Sequence, residues 1–164
     1  LFIQIFLGAF MGKLTDKLGG WVFNFHLFNG KVLYALILLH PAFYMLYLFK
    51  IKGVLDSFYI YSDLCVLCKG NLEHFYNFGR VAFWLITAGI IAAVFRASDP
   101  FLKKNWHKFH LLNYFAFFLI AIHSKVLGTD ISTTPFKWIY LFGIATVSLS
   151  LVVKYVLPFI RGKK

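Results

Sequence analysis

The sequence predicts an all-α, polytopic membrane helix bundle, and three observations carry that prediction. Of the 164 residues, 60% are apolar and only 14% charged, with a mean hydropathy of +0.75, which rules out both a water-soluble globule with an ordinary charged surface and a disordered chain. The apolar residues gather into four runs, 21–49, 78–95, 109–127 and 136–160, each close to or above the roughly 20 residues that a helix needs to cross about 30 Å of hydrocarbon. Stretches such as VLYALILLHPAFYMLYLF show no apolar–polar alternation, so membrane β-strands are excluded. The length fits a single domain, 1–164.

The first element, 1–11, is apolar but would span only about 17 Å as a helix, so it reads as a truncated N-terminal helix whose start lies upstream. GKLTDKLGG then connects it to 21–49, where Pro41 removes a backbone donor and kinks or loosens the turn before it. A long polar connector over 50–77 precedes 78–95. ASDPFLKKN leads into 109–127, and GTDISTTP into 136–160. No repeat or low-complexity segment interrupts the pattern.

The formal charge of +11, from 17 Lys and Arg against 6 Asp and Glu, lies between the apolar runs and not along one helix face. It therefore reads as the edges of membrane segments: the bilayer is a partner and nucleic acid is not. One side collects Lys13, Lys17, Arg96, Lys103, Lys104, Lys108, Arg161, Lys163 and Lys164. The other holds Lys50, Lys52, Lys69, Arg80, Lys125 and Lys137, together with Asp56, Asp63, Glu73 and Asp130. The positive-inside rule makes the first side cytoplasmic, in a multi-pass protein of the cell membrane. Runs 21–49 and 109–127 then both travel outward and are parallel.

Four of the six histidines fall on those two runs: His26 and His40, 14 residues apart, and His110 and His123, 13 apart. An ionisable side chain inside a membrane segment points to function. The intervals correspond to roughly 21 and 20 Å of rise, so two parallel helices offer imidazoles at an inner and an outer level. Paired imidazoles across a gap between helices suit the two axial positions of a haem iron. Zinc would need three or four ligands at one level, and a proton relay would need carboxylates that the membrane runs do not contain. One difficulty is angular: 13 residues leave two side chains about 140° apart on a straight helix, which predicts a tilted or rewound helix, or a His110 in a frayed first turn.

Two segments, FHLFNGKVLYALILLHP and WHKFHLLNYFAFFLIAIH, carry a resemblance to the ferric reductase-like transmembrane domain shared by ferric-chelate reductases and NADPH oxidases. It extends from the first short run to the basic terminus. The resemblance implies a bundle usually of six helices with two b-type haems, His26 pairing with His110 on the inner and His40 with His123 on the outer. It also implies a cytoplasmic flavin reductase domain or subunit, with FAD and NAD(P)H, as electron donor. That module is missing here, and VLPFIRGKK resembles the junction where it begins. Electrons leave to an external acceptor, a ferric chelate in preference to oxygen; two filled axial positions leave no open iron site, so transfer is outer-sphere. Outward movement of an electron is favoured by about 2.3 kcal/mol per 100 mV of inside-negative potential.

A second resemblance is to the haem-binding membrane subunit of a periplasmic methionine sulfoxide reductase system, fed by quinol. That subunit shares W-x3-H and the 13-residue interval but typically has a basic residue where His26 stands, so His26 favours the two-haem branch. A haem-free transporter or assembly subunit with structural histidines is the third reading. Arg80 is the candidate partner for outer haem propionates, while Lys31, Arg96 and Lys108 read as membrane-edge anchors. His107 is an interfacial residue one turn before His110, and His74 faces solvent. Cys65 and Cys68, in CVLC followed by Lys69, fit an external disulfide and not covalent haem attachment. Phe117, Phe118 and Tyr34 lie between the two levels as packing residues. Gly8 and Gly12 form a small-xxx-small pair.

Overall fold

The computed structural model describes residues 1–53, 55, 61, 63–65, 67, 70, 72–160 and 162, and every element among them is helical. These are α1 (Phe2–Leu18), α2 (Trp21–Lys52), α3 (Glu73–Phe95), α4 (Pro100–Leu127), a short 3-10 turn (Asp130–Ser132) and α5 (Phe136–Leu151). The last continues through a π-helical turn, Val152–Val156, into a final turn, Leu157–Ile160. Four helices, α2, α3, α4 and the continuous Phe136–Ile160, are long and apolar enough to cross a membrane. The chain is thus a polytopic helical bundle, as its hydropathy predicts.

The helices overrun the apolar runs most at three places, α2 exceeding its run only slightly, to Lys52. α1 continues through GKLTDKL to Leu18, because Lys, Leu and Thr there remain compatible with a helix and Thr15 bonds back to the Met11 carbonyl at 2.7 Å. Its 17 residues rise roughly 26 Å, against the 17 Å expected of 1–11. The helix bends at Phe10 (φ −112°, ψ 17°) and stops at Gly19, whose φ of 94° few other residues adopt. α3 begins at Glu73, five residues before the apolar run. α4 begins at Pro100, because the Asp99 carboxylate accepts the Leu102 N–H at 2.7 Å and Pro100 occupies the first helical position. FLKKN is therefore helix and not connector. His110 lies well inside an unbroken helix and not in a frayed first turn.

α3 and α4 form the tightest pair. Ala82, Ile86, Gly89 and Ala92 make a buried ridge of mostly small side chains along α3, which lets the backbones approach. A Cβ on Gly89 would stand 3.2 Å from both the Phe109 carbonyl oxygen and Asn113 Oδ1. A second core joins Ile5 of α1, Tyr114 and Phe117 of α4 and Val147 of α5, so Phe117 and its neighbour Phe118 are packing residues. Tyr140 ties α5 to α4 through the Ala121 carbonyl at 3.1 Å.

α2 is different. Val22 is its one buried residue among those described, and its principal packing is against α1. Gln4 of α1 donates to the His26 carbonyl and accepts from Asn29, both at 2.8 Å. Toward α3 it is bridged by Tyr34, whose hydroxyl meets Thr87 Oγ1 at 3.1 Å. Since Thr87 already donates to the Phe83 carbonyl at 2.8 Å, Tyr34 is the donor. In sequence Tyr34 lies between the two histidines of α2, so the bridge separates an inner from an outer space.

The α3–α4 contact is testable. Gly89→Val places carbon where Phe109 and Asn113 already stand, and should lower stability by about 1–3 kcal/mol. Thermal unfolding of the detergent-solubilised protein, followed by circular dichroism, should show the lower midpoint; an unchanged midpoint would mean that the helices do not approach this closely.

Candidate functional site

At the inner level the bundle brings His26 of α2 and His110 of α4 together, their ring centroids 6.3 Å apart and their planes at 62°. Two imidazoles that bind one metal ion from opposite sides, with metal–nitrogen bonds of roughly 2 Å, need about this separation. His26 Nδ1 is buried and has no hydrogen-bond partner, which makes it an atom that a bound group would satisfy. Gly8 of α1 faces the same ring, a Cβ there standing 3.5 Å from His26 Cε1; Gly12, its partner in the predicted small-residue pair, has nothing within 4 Å of a Cβ.

His110 is held from its own helix and from α3. Gly89 of α3 lies against this turn of α4, a Cβ there standing 3.2 Å from the Phe109 carbonyl oxygen and from Asn113 Oδ1. Asn113 Nδ2 stands 3.4 Å from His110 Nδ1, while the buried Asn113 Oδ1 has no partner. Turning the amide end for end lets Nδ1–H donate to that oxygen, which satisfies both groups. Toward the helix start, Trp106 lies 5.9 Å from the His110 ring, and the exposed His107 lies against Trp106 at 3.6 Å, under an indole also covered by Arg96 at 4.5 Å. His107 is thus an aromatic neighbour of the pair, separate from the face that His26 meets.

At the outer level His40 and His123 line one cavity of about 560 Å³, with Gly79, Arg80, Tyr44 and Tyr76 in its wall. That volume is in the range of small-molecule and cofactor pockets. His123 Nδ1–H donates to the Phe75 carbonyl of α3 at 2.8 Å. A carbonyl can only accept, so the tautomer is fixed and Nε2 keeps its lone pair, as orienting bonds do for metal-binding histidines. Gly79 makes room for this ring: a Cβ would lie 2.8 Å from His123 Cε1. Pro41, one residue beyond His40, is also in the cavity wall.

The 13-residue interval is accommodated without a break in α4. His110 meets His26 of α2, whereas His123 bonds the Phe75 carbonyl of α3 and lines the outer cavity, so the two rings need not share one face of the helix.

Arg80 belongs to the outer cavity but is also a tie to the connector. Its side chain is only 9% exposed and stands 3.9 Å from the Asp63 carboxylate; it donates to the Asp63 carbonyl and, at 3.0 Å, to Asn77 Oδ1. Asn77 in turn donates to the Cys65 carbonyl at 2.5 Å, and Trp84 to the Tyr61 carbonyl at 2.9 Å. These bonds fasten described parts of the connector to the outer half of α3. Cys65 is disulfide-bonded; Cys68 lies outside the described residues, as do Asp56, Lys69, Arg161, Lys163 and Lys164 among the charges counted for orientation. His74 is exposed. Among the described residues no three His, Cys, Asp or Glu side chains gather as a metal cluster.

Sequence reasoning passed over Gly79, Asn113 and the Phe75 carbonyl. A signal was present for Asn113, a polar residue three positions after a histidine on an apolar helix, where side chains meet. The Phe75 carbonyl carries none.

Gly79→Ala should push the His123 imidazole off the Phe75 carbonyl. In protein labelled with 15N-histidine, the hydrogen-bonded Nδ1–H signal of His123 should be lost or strongly shifted; an unmoved signal would show that Gly79 does not set the ring position. Compared with protein-family models, curated proteins and solved structures, the chain matches none.

Proposed function

We propose that this chain is the haem-carrying membrane part of an oxidoreductase that passes electrons across the cell membrane. In this reading two b-type haems lie at the two levels, the inner bracketed by His26 and His110 and the outer by His40 and His123. The donor is a cytoplasmic flavin module using FAD and NAD(P)H, on a separate or continuing chain. The acceptor is external, a ferric chelate in preference to oxygen. The reading rests on one observation: α2 and α4 each contribute an imidazole at both levels, with Nδ1 of His26 left without a partner and the bond of His123 to Phe75 leaving its Nε2 lone pair free.

When bound, the haems supply the one-electron redox chemistry. The protein's own work is to hold and to enclose. Phe75 fixes the tautomer of His123, Asn113 can do the same for His110, and Gln4 holds the backbone of His26 in place. Gly8 and Gly79 keep carbon away from two of the rings. Ile37, Phe83 and Ile86 make the outer space apolar, which limits water, and Arg80 places a cation beside it to complement carboxylates.

Purified protein should carry two haems per chain with the spectrum of low-spin, bis-imidazole iron. His40→Ala or His123→Ala should remove one haem, His26→Ala or His110→Ala the other, and His26→Ala combined with His40→Ala both. One haem in the unaltered protein would favour the quinol-fed subunit, and none the haem-free transporter. Two haems retained in all single variants would refute the ligand assignment.

A further inference from the structure

Lys154 is a cation within a membrane-spanning helix that neither the paired histidines nor the connector explains. It sits at the centre of the π turn Val152–Val156. The turn has a cause in the sequence: Pro158 lacks the N–H that the Lys154 carbonyl would accept in a regular α-helix. A π turn adds a residue to the helical circuit and so changes where side chains point, and such turns are frequent at functional sites.

A lysine this near a helix end would ordinarily snorkel to the interface. Lys154 is exposed on its helix, but its Nζ reaches α1, donating to the Gly8 carbonyl at 3.4 Å, and lies 5.6 Å from the Tyr155 ring. Gly8 is the residue packed against His26. The lysine therefore stands at the Gly8–His26 contact, on the α1 side of the inner pair. Among the described residues the ion pair present is Arg80–Asp63, at the outer end, so no described carboxylate neutralises Lys154. A cation held within a membrane bundle is costly unless something anionic meets it.

We propose that Lys154 is the anion-binding residue of the inner site: it pairs with a carboxylate carried by the group that His26 and His110 bracket and raises the reduction potential of that group. This rests on the two-haem reading, in which haem propionates are the carboxylates. Positive charge favours the electron-rich ferrous form, so its removal should favour the ferric form.

The test is potentiometric titration of protein in which His40→Ala has removed the outer haem. Adding Lys154→Met should lower the remaining midpoint by about 59 mV, a tenfold change in the ferrous-to-ferric ratio at fixed potential, and Lys154→Arg should restore it. With His110→Ala, where the outer haem remains, Lys154→Met should leave the midpoint unmoved. An unmoved inner midpoint with haem retained would overturn the proposal while leaving the two-haem reading intact. If Lys154→Met loses the inner haem outright, Lys154→Arg decides: retention supports a charge role, and equal loss overturns it. Unaltered protein that binds no haem would overturn both.

Discussion

A neutral imidazole inside a hydrocarbon bundle has one N–H to place and one lone pair to share, and the organisation of this molecule follows from where those two go. In water either is satisfied at no cost; within the membrane an unpaired polar atom costs several kcal/mol. His123 places its N–H on the Phe75 carbonyl, a carbonyl of the first turn of α3. Asn113 stands against His110, and Gly89 of α3 lies against the same turn. What remains on the His123 ring is the Nε2 lone pair.

That arrangement requires α3 and α4 to be close and α2 to be distant. The small ridge of Ala82, Gly89 and Ala92 draws α3 onto α4, so that backbone carbonyls of one helix come within reach of rings on the other. α2 carries the facing imidazoles but shares little packing with that pair; Gln4 and Asn29 tether it to α1, and Tyr34 spaces it from Thr87. Helices in lipid associate through close packing of small residues, and the described α2 face toward the site carries Leu36, Ile37, His40, Pro41 and Tyr44 instead. The gap is thus a consequence of residue size on α2, bridged at one depth by a hydrogen bond.

The spans, the helical class and the meeting of His26 with His110 were legible in the sequence because each follows from a one-dimensional pattern, hydropathy or spacing along two parallel rods. The Asp99-Pro100 start of α4 was also written there, as a cap and a helix-compatible proline, but apolar runs alone placed that boundary nine residues late. The angular conflict between His110 and His123 dissolves only in three dimensions, since it assumed one shared face where two spaces exist. The Phe75 carbonyl, the room left by Gly79 and the reach of Lys154 to α1 depend on which helices neighbour one another, and no periodicity in a single chain segment encodes that.

The two embedded cations complete a division of labour. α2 and α4, parallel to each other, supply the nitrogens; α3 and α5, running the opposite way, each supply a cation, Arg80 at the outer level and Lys154 at the inner. Neither points freely to the interface, because each is bonded to a backbone carbonyl, Arg80 to Asp63 and Lys154 to Gly8. They differ in compensation. Arg80 has the Asp63 carboxylate beside it, so its net field at the outer cavity is weakened, whereas Lys154, bonded to Gly8 beside His26, has no described counter-ion. In a low-dielectric bundle an uncompensated charge acts over a longer range than a paired one. The two levels are therefore electrostatically unequal even though their imidazole sets match, and the inequality originates in a proline four residues past a lysine.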